Sequence, residues 1–314
     1  MHSIRRILVV LNPEQPDSLP LRRAKHIATG IHAEIHLVLC DNQREHAPFL
    51  RHLSKQLSGE GFDVSTQQIN CEHSQPTDAI LTTLQAHSCD LLIKQHYPNS
   101  LWTKHLIIPE DWRLLRQSPV PVLLTKTARP WNGGRVLAAM DIENSENEHR
   151  GLQGSIMGHA VDLAALIGGS IHAVSAYPAT LFPAADSSAP RYDGQAAHCF
   201  EASRWFKEEY QLHDYQLHIG EGPAKALILQ IAHQLEIAVT VIGTVGRNGL
   251  AGMLIGNTAE AILDRLDSDL LVLKPHDHAV HLLAPYEEPQ QAPSERGHSQ
   301  GLAVNNQFCE QTAL

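Results

Sequence analysis

The stretch Asn257-Thr-Ala-Glu-Ala-Ile-Leu-Asp-Arg-Leu-Asp-Ser-Asp-Leu-Leu-Val-Leu-Lys274 reads as an amphipathic helix running into an apolar strand. Ala259, Ile262, Leu263 and Leu266 form one apolar stripe at helical spacing. The aliphatic run ending at Lys274 suits a strand covered on both faces. The same phrase occurs earlier, without a gap, as Pro109-Glu-Asp-Trp-Arg-Leu-Leu-Arg-Gln-Ser-Pro-Val-Pro-Val-Leu-Leu-Thr-Lys126.

Working outward from these two endings, the rest of the chain also pairs off. Arg6–Asn12 and Arg135–Asp141 are apolar runs that end in a polar turn residue, and each precedes a helix signal. In the first, Ser18 stands where it can cap a helix carrying Leu21, Ala24, Ile27 and Ala28. In the second, Ile156, Ala160, Leu163, Ala164 and Ile167 share one face. Glu34–Cys40 matches Ser170–Tyr177, Phe62–Ile69 matches Tyr215–Ile219, and Asp90–Ile93 matches Ile237–Ile242. Pro76 and Pro223 each stand near the first turn of a helix, where a missing N–H costs nothing. Several strand–helix correspondences in one order indicate an internal repeat.

Strands alternating with helices imply a parallel sheet with helices on both faces. Right-handed crossovers then favour the doubly wound arrangement. The fold class is therefore α/β, with two tandem doubly wound, Rossmann-like domains, each with a five-stranded parallel sheet. Residues 1–127 form the first domain and 135–275 the second. The linker between them, 128–134, is marked by Pro130, Gly133 and Gly134. Residues 276–314 are poor in apolar side chains and read as a flexible tail.

Composition narrows the function. The formal net charge is −10 and no Lys/Arg cluster occurs, which argues against nucleic acid as a partner. No secretory leader and no long apolar run is seen, so the expectation is a cytoplasmic protein with no membrane partner. The five cysteines (Cys40, Cys71, Cys89, Cys199, Cys309) are scattered and lack metal or redox spacing, so they read as reduced thiols. The histidine cluster His276, His278 and His281 is read as solvated imidazoles, and no metal site is expected.

The second unit carries Gly243-Thr-Val-Gly246-Arg-Asn-Gly249-Leu-Ala-Gly252-Met-Leu-Ile-Gly256-Asn257-Thr258 between its fourth strand and last helix. Connections in such units usually run about 2–6 residues, so this one is long. Glycines at a strand's C-terminal end let backbone N–H groups approach a phosphate. The helix starting at Asn257-Thr258 adds orphan donors and a positive dipole end, and Arg247 adds a cation. The competing reading is that these glycines serve packing and turn geometry alone.

This segment resembles the nucleotide loop of universal stress proteins, in which Gly, two residues, Gly, nine residues and Gly precede Ser or Thr. Gly243, Gly246 and Gly256 match that spacing. Asn257 departs from it, although Thr258 follows at once. The phrases Asp111-Trp112-Arg113-Leu114-Leu115, Gly243-Thr-Val-Gly-Arg247 and Gly256-Asn-Thr-Ala-Glu260 are similar to the tandem-domain branch of that family. The resemblance implies a cytoplasmic stress-response protein associated with tolerance of DNA damage, without an assigned reaction. It also implies ATP, with or without Mg²⁺, as the cofactor, held near Asp141 after the second unit's first strand. It further implies an internal pseudo-dimer of the two units, and exposed sheet edges leave room for a homodimer.

In the first unit, an alignment with a one-residue gap sets Lys94, Tyr97 and Ile108 where Gly243, Gly246 and Gly256 stand, with Asn12 replacing the Asp. Side chains there should block a phosphate, so this copy is expected to pack rather than bind ATP, with Lys94 and His96 the only candidates for another anion. The functional alternative is a scaffold or small-molecule carrier with a lapsed ATP site, using the apolar segment Tyr177–Ala189. Glu143–Glu148 reads as a solvated turn, no Walker or nucleophile-elbow motif occurs, and catalysis is not expected.

Overall fold

The computed structural model describes residues 2–12, 15, 18–41, 44–71, 75–97, 110–142, 147–177, 194–244, 262–274 and 280–281. The first half contributes β2 (Arg6–Leu11), α1 (Leu19–Ile31), β3 (Glu34–Cys40), α2 (Ala47–Gly59), β4 (Val64–Ile69), α3 (Pro76–Ala86), β5 (Leu91–Gln95), α4 (Glu110–Gln117) and β6 (Val122–Thr125). The second contributes β7 (Arg135–Met140), α5 (Asn147–Leu166), β8 (Ser170–Tyr177), α6 (Gly194–Tyr210), β9 (Leu217–Glu221), α7 (Ala224–Gln234), β10 (Val239–Gly243) and β11 (Asp269–Leu273). α5 starts at Asn147, so the stretch read as a turn from Glu143 is already helical at Asn147 and Glu148.

Each half has five strands in parallel, with the first of them in sequence in the middle and the connection reversing direction beside it. The two five-stranded sheets continue into one ten-stranded sheet, in the order β4-β3-β2-β5-β6-β11-β10-β7-β8-β9. The junction is the antiparallel pair β6–β11, with Leu123 opposite Leu271.

Strand alternation sends successive side chains to two separate cores. Ile7, Val9 and Leu11 face one core with Leu21, Ala24 and Ile27 of α1, Leu50 and Leu53 of α2, and Ile156 and Ala160 of α5. Leu8, Leu92 and Leu124 face the other with Ile80 of α3, Leu114 of α4, Ile228 of α7 and the stripe Ile262, Leu263 and Leu266. The apolar helical faces expected from the sequence are thus the buried ones. Ala259 of that stripe lies outside the described residues.

One local reading changes and two gain detail. Ser18 is the N-cap of α1, but its hydroxyl makes no capping bond and is buried without a partner. Pro20 occupies the second helical position and has no N–H, which removes one of the two donors that such a cap normally uses. The segment 128–134 is tied down: Trp131 is 2% exposed and donates from Nε1 to Asp269, and Arg129 donates to the Ile237 carbonyl. Within the segment read as a tail, β12 (Val280–His281) pairs in parallel with β1 (His2–Ser3). The rest of that segment lies outside the described residues, as do His276 and His278. So does the apolar segment after Tyr177, through Ala189.

Candidate functional site

In an open parallel sheet, ligands bind outside the carboxyl ends of the strands where strand order reverses. In the second half that place lies between β7 and β10, which pair as Val239 with Val136 through Val241 with Ala138. Asp141 follows the last residue of β7 and Gly243 is the last residue of β10, so the fold brings these two expected site residues to one end of neighbouring strands. Asp141 is exposed, and its main-chain carbonyl accepts a bond from the Gln153 side chain of α5. Gly246, Arg247, Gly256, Asn257 and Thr258 lie outside the described residues.

Gly243 has a packing reason of its own. A Cβ there would stand 2.6 Å from Leu152 Cδ2 and 2.9 Å from Ile156 Cδ1, both on α5. The helix therefore seats on the strand only because the side chain is missing. Thr244, which the glycine spacing did not single out, continues the β10–β11 ladder by donating its N–H to the Leu273 carbonyl at 2.8 Å.

The corresponding place in the first half is a cleft of about 280 Å³ lined by Asn12, Ser18, Pro20, Cys40, Lys94 and Gln95, among others. Sheet register corrects the gapped alignment of the two loops. Leu91 sits opposite Ile7 as Val239 sits opposite Val136, and His96 N–H donates to Thr125 O as Thr244 N–H donates to Leu273 O. Gln95, not Lys94, therefore stands in the place of Gly243, and β5 and β10 match without a gap from Leu91 and Val239 to that point. By alternation Gln95 lies on the α1 face of the sheet, as Gly243 lies on the α5 face in the other half. Its Oε1 is buried and takes no hydrogen bond. Ile108 lies outside the described residues.

Lys94 and His96, the residues considered for another anion, are committed elsewhere. Lys94 Nζ donates to Asp111 Oδ1 at 2.8 Å and lies 3.6 Å from Glu110. Burial alone would lower the pKa of the ammonium, yet Asp111 and Glu110 carry it above the ordinary lysine value. His96 Nδ1 lies 2.7 Å from Asp111 Oδ2, and its Nε2 lies 3.0 Å from Asp264 Oδ1 in the other half. Burial of Asp111 opposes its ionisation, but the His96 bond and the Lys94 charge hold its pKa below the usual carboxylate range. Lys94 is thus neutralised by carboxylates and His96 is engaged by two more carboxylate contacts, which leaves no spare positive charge for phosphate among the described residues of the cleft.

Among the described residues, no group of three or more His, Cys, Asp or Glu is placed to hold a metal ion. No described helix is long and apolar enough to cross a membrane.

Comparison with known proteins agrees with this architecture. Residues 134–274 match the universal stress protein family model. Universal stress protein E of Salmonella typhi is 27% identical over 308 residues, covering 88% of this chain and 96% of its own. A Pseudomonas aeruginosa UCBPP-PA14 protein assigned to the universal stress proteins, whose crystal structure is known, is 46% identical. It superposes with a TM-score of 0.77 over 88% of this chain and 95% of its own. A universal stress protein of Archaeoglobus fulgidus, only 14% identical, shares the fold with a TM-score of 0.58. With two like halves, the strand reversal beside Asp141 and Gly243, and a relative this similar along almost its whole length, the chain belongs to the universal stress protein family.

Proposed function

We propose that this stress-response protein acts in the cytoplasm by binding a nucleotide, ATP with Mg²⁺, at the carboxyl ends of β7 and β10, and that it is a regulatory binder rather than a catalyst. The observation that carries this reading is the juxtaposition of Asp141 and Gly243 at the strand reversal, with the glycine-rich segment following directly in sequence. An exposed carboxylate beside such a segment suits a ribose hydroxyl, and backbone N–H groups of Gly246 and Gly256 suit the phosphates. The two halves act as an internal pseudo-dimer in which only the second is open to ligand. The edge strands β4 and β9 are where a second copy would add.

Titration calorimetry of the full chain with Mg²⁺-ATP tests this. Binding is expected, with a loss of at least about tenfold in Asp141→Ala, roughly the 1.4 kcal/mol of one lost polar contact. No heat from the wild-type chain, together with no nucleotide released on denaturing freshly purified protein, would sink it.

The second reading, a small-molecule carrier, draws support from the first-half cleft. Ser18 and Gln95 present buried polar atoms without partners there, and the charges around them are balanced. A neutral polar ligand suits such a wall better than a phosphate does. Mass spectrometry of released small molecules separates the two readings.

A further inference from the structure

We propose that Cys40 and Cys71 are a redox pair that closes to an intramolecular disulfide under a two-electron oxidant such as hydrogen peroxide. The two residues are far apart in sequence and carry no motif, but the fold brings them together. Cys40 is the last residue of β3, paired in register with Ile69, the last residue of β4. Cys71 lies two residues further on, beyond the paired part of β4. Both side chains pack against the same core, and Cys71 is near enough to act on the Cys40 thiol. Both are partly accessible, whereas Cys89 is buried. Cys40 also lines the first-half cleft, which gives a small oxidant a route to the pair.

The order of the steps follows from the surroundings. Burial, then Cys71, pushes the Cys40 thiol up to about 12, so it is a poor first nucleophile. Cys71, beyond the paired part of β4, is the sulfur that attacks the peroxide. One O–O bond breaks, a sulfenic acid forms on Cys71, and the departing hydroxide takes up a proton as water. The Cys40 sulfur then attacks the sulfenic sulfur, giving up its proton. The S–S bond forms as the S–O bond breaks, and a second water leaves. In sum, two thiols and one peroxide give one disulfide and two waters. Cys71 stands outside the strand ladder, so its backbone can make the approach that the bond requires without breaking sheet hydrogen bonds. The product ties the ends of β3 and β4 together beside the cleft that Cys40 lines.

The experiment treats the full chain with a small excess of hydrogen peroxide, alkylates the remaining thiols and maps the digest by mass spectrometry. The expected result is a linked Cys40–Cys71 peptide that reduction separates, with Cys89 alkylated as before. Thermal unfolding of the oxidised chain should occur at a higher midpoint than that of the reduced chain, because the cross-link restricts the unfolded ensemble. Cys71→Ser and Cys71→Ala should both abolish the linked peptide and the shift in midpoint. Sulfinic or sulfonic acid on Cys40 or Cys71 with no linked peptide overturns the proposal. So does a disulfide that joins either cysteine to another position or to a second chain.

Discussion

Arg23 of α1 donates from Nε to Asp269 Oδ2 of β11 at 2.7 Å, so a buried ion pair crosses from the first half of the chain to the second. Asp269 is fully buried and also accepts bonds from Trp131 Nε1 at 2.9 Å, Lys126 N at 2.7 Å and Thr127 N at 3.1 Å. The Arg23 guanidinium donates in addition to the Thr127 and Arg129 carbonyls and lies 4.6 Å from the Trp131 ring centroid. Burial of such a pair is tolerated because its remaining polar atoms are satisfied. The segment between the halves is thereby wrapped around one carboxylate. A second link is reciprocal: Lys126 donates to the Leu263 and Leu266 carbonyls of the second half, and Lys274 to the Arg116 and Ser118 carbonyls of the first.

Removing the carboxylate strands a buried guanidinium. Asp269→Ala is expected to lose about 3–5 kcal/mol of unfolding free energy, read from urea denaturation. Glu60→Ala, on the exposed pair with Lys25, should leave the midpoint in place. Equal effects from the two substitutions would contradict the central role given to Asp269.

Gly243 is held free of a side chain by α5. Gly243→Ala should destabilise the chain by about 1–3 kcal/mol, the usual cost of overpacking. Combining it with Leu152→Ala should recover part of that loss, because the nearest atoms in the way belong to Leu152. A double-mutant cycle that comes out additive would show that the glycine is needed for something other than this contact.

Ser18 gives the opposite expectation from an ordinary N-cap. Losing a working cap costs about 1 kcal/mol. Here the hydroxyl is buried and makes no bond, so Ser18→Ala should be neutral or slightly stabilising in the ligand-free chain. A clear loss of stability by thermal denaturation would mean that the hydroxyl does cap α1 in solution.

Acid sensitivity should be traceable to a histidine pair on β8 and β9. His172 Nδ1 lies 3.2 Å from His218 Nε2. Burial, then His218 and Arg135, depress the His172 pKa to about 4 from the ordinary 6.5. Between those values the unfolded chain takes up a proton that the folded chain refuses, so stability falls as pH drops from about 6.5 towards 4. His172→Gln should flatten the stability profile across that window, measured as unfolding midpoints at a series of pH values. An unchanged slope would assign the acid sensitivity to other groups.

Much of the fold was legible because it depends on periodicity. The bounds of β3 and β8 follow from where aliphatic and β-branched residues start and stop, and the buried faces of α1 and α5 follow from helical spacing. The loop alignment was not legible at one-residue resolution. Lys94 and Gln95 are neighbours of similar polarity, and only strand pairing says which of them stands level with Gly243. Of the expected site, the ends of β7 and β10, and with them Asp141 and Gly243, were legible from the strand pattern, but the packing of Leu152 and Ile156 against the glycine needs the position of α5.

The sequence by itself determined the repeat, the α/β class and the likeness of the glycine-rich segment to a phosphate loop, because each is written in local spacing. Only the tertiary structure decided that the two sheets continue through β6 and β11. It alone brought Arg23 to Asp269, His96 to Asp264 and Cys40 to Cys71. Those contacts join residues distant along the chain, and no local pattern encodes which buried charge or thiol will meet which. That is set by how the two halves pack together, where a buried charge left without a partner is costly.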